Sequence, residues 1–278
     1  MNEPVFLNYT QAELDLYYDQ RRWHPAAQAE IERYIASSEA ARGRLHHDNH
    51  RYGPGENESL DWFPAGDAAA PVIVFVHGGA WINFTKDDFS FVAAGAVERG
   101  FHTCVLNFAG LKTVRMPEML AQVQRGIAWV ASHTQELKAD ARRLHVCGHS
   151  SGAHLASLAL LQDHSPIHSA TLISGAYELE PVMLSARRSY VLLEPAEVAA
   201  LSPIRHIDRI GCPLLVAFCG NDTPEYQRHA RAFHEALQRR GKVAELFHLS
   251  LANHFDSVFS LEQPHSNLLE KMAALLQS

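Results

Sequence analysis

The chain has 278 residues, 47% of them hydrophobic and 20% charged, a composition that fits a globular enzyme and excludes a disordered or fibrous chain. Its formal charge is −7, from 24 basic and 31 acidic residues, and no Lys/Arg cluster is long enough to track phosphates, which argues against a nucleic-acid partner. The start, MNEPVFLNYTQAELDLYYDQ, has neither a basic opening nor an apolar run of signal-peptide length, and no later run approaches the roughly 18 apolar residues of a membrane span, so the chain reads as cytoplasmic with no membrane partner.

A chain of this length buries roughly three quarters of its unfolded surface, enough for one α/β domain spanning residues 1–278. Residues 11–42 read as a helical, charged leader, opened by a capping box in which Thr10 is followed three residues later by Glu13. The run Leu45-His46-His47-Asp48-Asn49-His50 imitates a metal site. It lacks a second cluster to complete a zinc shell and precedes the turn Tyr52-Gly53-Pro54-Gly55 between two strands, so a solvated edge is expected and no metal.

From residue 71 short apolar runs alternate with helical patterns, the signature of βα repeats building a mostly parallel sheet with helices on both faces. The predicted strands are Pro71–Val76, Phe101–Asn107, Arg143–Gly148, Ser169–Ser174, Pro213–Cys219 and Val243–Leu249, each nearly continuously apolar as strands covered on both sides should be. Between them, Met116–Leu137 carries Met119, Leu120, Val123, Ile127 and Val130 on one stripe, and Ala153–Leu161, Glu225–Arg240 and Asn267–Leu276 also read as helices. Residues 176–210 contain Pro181, Pro195 and Pro203 and no clear strand. Inserted after the sixth strand, this stretch is either a small cap over the sheet edge or an ordinary peripheral excursion. The cysteines Cys104, Cys147, Cys212 and Cys219 lack metal-ligand spacing, and three fall in apolar strand-like runs, so reduced core thiols are expected.

The strongest chemical signal is Gly148-His149-Ser150-Ser151-Gly152, which follows an apolar strand and precedes a helix. A serine on that tight turn has strained dihedrals and presents its hydroxyl at a helix N-terminus, where developing negative charge is favoured. Upstream, the strand through Val76 runs straight into His77-Gly78-Gly79-Ala80-Trp81. The N–H groups of Gly78 and Gly79, with that of Ser151, are the expected oxyanion donors, and Ala80 is the substitute if the loop is shifted by one residue. His77 is expected to anchor the loop; Trp81 either walls a pocket or packs the loop down.

A serine nucleophile needs a base, and the base an orienting acid, in the chain order Ser, acid, His. Asp222 follows the strand ending at Cys219, and His254 follows the strand ending at Leu249. His248 falls within that strand, and Asp208 and Asp256 are the fallback acids.

In His77-Gly78-Gly79-Ala80-Trp81, Gly148-His149-Ser150-Ser151-Gly152-Ala153-His154 and Asn253-His254-Phe255-Asp256, with Trp129-Val130 and the acidic Tyr-rich leader, the chain resembles the kynurenine formamidase (arylformamidase) and esterase-like branch of the α/β-hydrolases. The resemblance implies the α/β-hydrolase fold, nucleophile Ser150, acid Asp222, base His254, an oxyanion hole at Gly78 and Gly79, and hydrolysis of a small acyl bond of the N-formylkynurenine type without a cofactor. Two departures adjoin the expected pocket: Ser151, where relatives often carry alanine, and Phe108-Ala109-Gly110-Leu111-Lys112, where a tyrosine-bearing loop is expected. The alternatives are a carboxylesterase or lactone/carbamate hydrolase on the same residues, and a non-catalytic binding protein on a hydrolase scaffold. The expected partner is a small-molecule substrate, with Trp81, Tyr177 and Tyr190 as aromatic pocket surface; a homodimer is left open.

Overall fold

In the computed structural model, which describes residues 3–277, Asp48–Arg51 (β1), Ser59–Phe63 (β2), Ala70–Val76 (β3), His102–Leu106 (β4), Ala139–His149 (β5), Ser169–Ile173 (β6), Leu214–Cys219 (β7) and Ala244–Leu249 (β8) form one sheet. Their order is β1-β2-β4-β3-β5-β6-β7-β8. Only β2 runs against its neighbours; every other pairing is parallel. This is the α/β-hydrolase fold with its mostly parallel sheet.

Side-chain alternation along the strands divides the interior into two cores. On β3, Val72, Val74 and Val76 enter one core, and Ile73 and Phe75 enter the other. The first is closed by helices Met116–Ser132, Ser151–Ala159 and Pro224–Arg239, the second by Ala27–Arg44, Ala93–Glu98 and Asn267–Gln277. Met119, Val123, Ile127 and Val130 of the predicted stripe are fully buried, and full burial of each such side chain contributes about 1.5–3 kcal/mol.

The helix after β4 and the leader differ from their predicted bounds. The helix expected to reach Leu137 ends at Ser132, because the Ser132 hydroxyl, the His133 ring and the Thr134 hydroxyl sit against the carbonyls of Trp129 and Ala131, and Lys138 then turns the chain at φ 55° into β5. The leader is three helices, Gln11–Tyr17, Gln20–Trp23 and Ala27–Arg44, because the Asp19 carboxylate caps the Arg22 N–H at 3.1 Å and starts a new turn there. The Thr10–Glu13 capping box is present as expected. β8 is an edge strand, half-buried except at Glu245 and His248, with Ala244 and Leu246 packed on the first core and Phe247 and Leu249 on the second.

The three histidines of the early cluster diverge: His46 pairs with Asp48 at 3.4 Å, His47 stacks on Phe63, and His50 packs on Trp129. All four cysteines are free thiols, with Cys104, Cys147 and Cys219 buried. Among the described residues no helix is long and apolar enough to cross a membrane.

Asp61 of β2 joins the leader to the sheet. Its fully buried carboxylate accepts from Arg42 (2.5 Å), Lys86 (3.0 Å) and Asn49 (3.0 Å), and these donors hold its pKa below the usual carboxylate value despite burial. Removing one partner of such a cluster leaves uncompensated buried charge, so Asp61→Ala is expected to cost about 3–5 kcal/mol of unfolding free energy, read by chemical denaturation. A loss below about 1 kcal/mol, typical of exposed pairs, would show the cluster to be electrostatically inert.

Candidate active site

β5 ends at His149, and Ser150 turns the chain into helix Ser151–Ala159 with φ 55° and ψ −123°, a left-handed conformation costly for any residue with a Cβ. The helix begins two residues earlier than predicted because the N–H groups of Ala153 and His154 bond back to the Ser150 carbonyl. The surroundings hold the strain in place: the Ser150 N–H donates to the Ile173 carbonyl of β6 at 2.8 Å. Gly152 is required by contact, since a Cβ there would lie 2.1 Å from the Val76 carbonyl oxygen.

The three residues singled out across β5, β7 and β8 meet in one hydrogen-bonded chain. Ser150 Oγ lies 2.9 Å from His254 Nε2, and His254 Nδ1 lies 2.8 Å from Asp222 Oδ2. With the imidazole proton on Nδ1, the ring donates to the carboxylate and accepts from the serine hydroxyl. The second Asp222 oxygen accepts the Thr223 N–H at 2.8 Å, and Asp222 is buried. Of the fallback acids, Asp208 pairs with Arg240, and Asp256 caps the His254 loop by accepting from the Asn253 N–H. His248 stacks on Phe218 within β8.

Two neighbours of this chain were not legible in the sequence. His149 places Nε2 2.8 Å from the His254 carbonyl, and burial together with the adjacent His254 pushes its pKa down to about 3, so it stays neutral and serves as a strut. Tyr226, from helix Pro224–Arg239, sets its ring edge-on to His254 at 4.8 Å. Only the apolar period of that helix is visible in sequence, and the period gives burial but not the neighbour.

The loop after β3 is held as expected by His77. Its Nδ1 lies 2.8 Å from the Gly78 carbonyl, its ring stacks on Phe108 at 4.4 Å, and burial lowers its pKa to about 4. Gly79, Ala80 and Trp81 all have positive φ. Gly79 and Ala80 line the cavity that opens on Ser150, of about 550 Å³. Gly78 instead borders a smaller cavity, of about 180 Å³, that it shares with Ser151 and Trp81. Gly78 also lies against the serine: a Cβ there would be 3.0 Å from the Ser150 Cβ. The Ser151 hydroxyl accepts the Trp81 N–H at 3.2 Å, so the departure at that position ties the two loops together.

Two of the three aromatic pocket assignments need correction. Trp81 is buried, with Nε1–H donating to His154 Nδ1 at 3.2 Å; it packs the loop against helix Ser151–Ala159 and does not border the Ser150 cavity. Tyr177, in the loop after β6, is fully buried in the first core, its ring stacked on Phe233 at 4.2 Å. Tyr190 does line the cavity. The leader, whose role the sequence left open, supplies much of the remaining wall through Tyr18, Gln20 and Tyr34, facing Ala186, Arg187 and Ser189 of the 176–210 segment.

The BD-FAE family model matches residues 62–180 of the chain. The kynurenine formamidase of Danio rerio is 29% identical over 270 residues, covering 90% of each chain, and that of Salmo salar is 28% identical over 81% of this chain and 80% of its own length. Esterase LipQ of Mycobacterium tuberculosis is 28% identical over 68% of this chain and 52% of its own. Among solved structures, one from Silicibacter sp. superposes with a TM-score of 0.83 at 23% identity, covering 96% of this chain and 99% of its own. Esterase B of Lactobacillus rhamnosis superposes with a TM-score of 0.72 at 16% identity, covering 93% of this chain and 97% of its own. Sequence kinship and sheet topology together make this chain a hydrolase of the α/β-hydrolase fold, akin to the kynurenine formamidases and the esterases.

Proposed function

We propose that the chain is an arylformamidase-like serine hydrolase in which Ser150 is the nucleophile, His254 the general base and Asp222 its orienting acid. The observation that carries this reading is the continuous Ser150–His254–Asp222 hydrogen-bonded chain, with spacings of 2.9 and 2.8 Å, at the wall of a cavity of about 550 Å³. The kinship with two kynurenine formamidases over most of the chain supports the substrate class.

In this mechanism Ser150 Oγ attacks the formamide carbonyl while His254 Nε2 takes the hydroxyl proton. The carbonyl oxygen becomes an oxyanion received by the N–H groups of Gly79, Ala80 and Ser151. His254 returns the proton to the departing arylamine as the C–N bond breaks, leaving a formyl ester on Ser150. Water, deprotonated by His254, then cleaves that ester and releases formate. Asp222 holds the imidazole tautomer and balances its transient positive charge. The 176–210 segment acts as a cap, bringing Arg187 and Tyr190 over the opening.

A formyl carbon carries only hydrogen, so the acyl side can be tight. Each misfitting methylene in a tight pocket reduces kcat/KM by about 10- to 200-fold. The expected result is turnover of N-formylkynurenine, with kcat/KM falling along 4-nitrophenyl esters from acetate to octanoate. A preference for the longer esters, with no formamide turnover, would replace this reading by that of a carboxylesterase.

A further inference from the structure

The loop after β3 stands between two voids. Gly79 and Ala80 line the cavity of about 550 Å³ that contains Ser150, Gly78 and Trp81 border the cavity of about 180 Å³, and Ile82, Asn83 and Phe84 line both. A loop with space on either side is not fixed by close packing alone. Its backbone is also strained, since Ala80 (φ 54°) and Trp81 (φ 63°) carry side chains in the left-handed region. Such a conformation persists only where neighbouring groups over-determine it.

The hydrogen bonds that do this converge on Trp81. Its N–H donates to Ser151 Oγ at 3.2 Å, its carbonyl accepts the Leu111 N–H at 2.8 Å, and its indole Nε1–H donates to His154 Nδ1 at 3.2 Å. The third bond depends on a contact made elsewhere. His154, in helix Ser151–Ala159, is fully buried, and its Nε2 lies 2.8 Å from the carbonyl of Leu201 in the 176–210 segment. A carbonyl only accepts, so Nε2 carries the proton; an indole N–H only donates, so Nδ1 is bare. Burial lowers the His154 pKa to about 4, which keeps the ring neutral and leaves Nδ1 able to accept at neutral pH. The Leu201 carbonyl thus selects the tautomer through which the helix holds the indole.

We propose that His154 is a positioning residue for the oxyanion loop: oriented by Leu201, it holds Trp81 and thereby keeps Gly79 and Ala80 in place beside Ser150. The inference rests on the reading of Ser150 as the nucleophile and adds a residue that acts on the same centre through another.

Two substitutions separate the two bonds of the ring. Asn places its amide near the position of Nδ1 and can still accept from Trp81; Gln places its amide near that of Nε2 and can still donate to Leu201. Each variant forfeits one buried hydrogen bond, so a structural role alone gives both a similar loss of Tm and similar activity. One readout is kcat/KM for 4-nitrophenyl acetate, which does not depend on the formamidase reading. The other is inhibition by an aryl trifluoromethyl ketone, whose carbonyl oxygen becomes an oxyanion when Ser150 Oγ adds to the carbon; the corresponding alcohol forms no adduct and reports binding alone. His154→Gln is expected to lower kcat/KM about 10- to 100-fold and to raise the ketone Ki in step, with the alcohol Ki unchanged, because a small misplacement at the reacting centre is that costly. His154→Asn should recover most of the loss. Trp81→Phe removes the same bond from its other end and keeps the test open if a His154 variant fails to fold; combined with His154→Gln it should cost no more than the larger single change. Equal activity in the Gln and Asn variants, a ketone Ki unmoved by His154→Gln, or additive losses in the double variant overturns the assignment while leaving Ser150 in its role. If the ketone does not inhibit the parent protein and Ser150→Ala keeps its turnover, the reading of Ser150 falls and this inference with it.

Discussion

Ser150→Ala is expected to lower turnover by about 10⁴- to 10⁶-fold, because it removes the atom that forms the covalent intermediate and leaves only oxyanion stabilisation and substrate positioning. Alanine meets the same positive φ with its own Cβ, so the backbone strain at this turn is unchanged and the unfolding midpoint should stay close to that of the parent protein. Labelling by a serine-directed fluorophosphonate should disappear in the same variant. His254→Ala should be comparably inactive, because Nε2 is the acceptor 2.9 Å from Ser150 Oγ. Asp222→Asn should retain more activity, since the ring position survives through other contacts while the preferred tautomer is lost. Near-parental turnover of Ser150→Ala would remove this residue from the mechanism, and a largely active His254→Ala would assign the base to another histidine.

Mild acid should destabilise the protein. Burial pushes the pKa of His77 and His154 down to about 4 and that of His145 and His149 down to about 3, from an ordinary value of 6.5. A histidine whose folded-state pKa is depressed stabilises the fold fully above the unfolded value, where both states are neutral. As pH falls below about 6.5 the unfolded chain takes up protons that the native state refuses, and stability is lost at about 1.4 kcal/mol per pH unit for each such group, down to the folded-state values. Four groups together give roughly 5 kcal/mol per pH unit, against a typical total of about 5–15 kcal/mol. Tm is therefore expected to fall by roughly 10–15 °C between pH 7.5 and pH 5.5.

His145 offers the control. It lies in β5, hydrogen-bonded to Ser169 and Thr171 and well away from Ser150, so His145→Gln keeps polar partners in place while deleting one titrating group. The slope of unfolding free energy against pH should drop by about one group's share, about 1.4 kcal/mol per pH unit. A flat stability profile from pH 7.5 to 5.5 would mean that the buried histidines take up protons in the native state.

Local chemistry explains why the turn at Ser150 was legible. The strand–Gly-x-Ser-x-Gly–helix pattern needs only residues within about one turn of each other: Gly148 and Gly152 for close approach, Ser150 for the strained corner. His254 and Asp222 were legible because each follows a strongly apolar strand, and parallel strands deliver their C-terminal ends to one edge of the sheet. The conformation of the loop after β3 was not legible, since the run of positive φ from Gly79 to Trp81 depends on what the loop packs against: the Ser151 hydroxyl and the His154 ring.

The amino-acid sequence by itself determined the sheet, the two-sided core and the three residues that meet at its edge, because each follows from the periodicity of buried side chains or from a turn motif a few residues long. What only the tertiary structure decided is the pocket. Tyr177 and Trp81 are aromatic, but their placement beside Phe233 and His154 takes them out of the Ser150 cavity. Gln20 and Arg187, 167 residues apart, became partners only when the leader folded back over the 176–210 segment. A charged residue in a loop reads in sequence as solvated; only the folded chain shows that the Arg187 guanidinium is buried between two rings with a donor still unpaired.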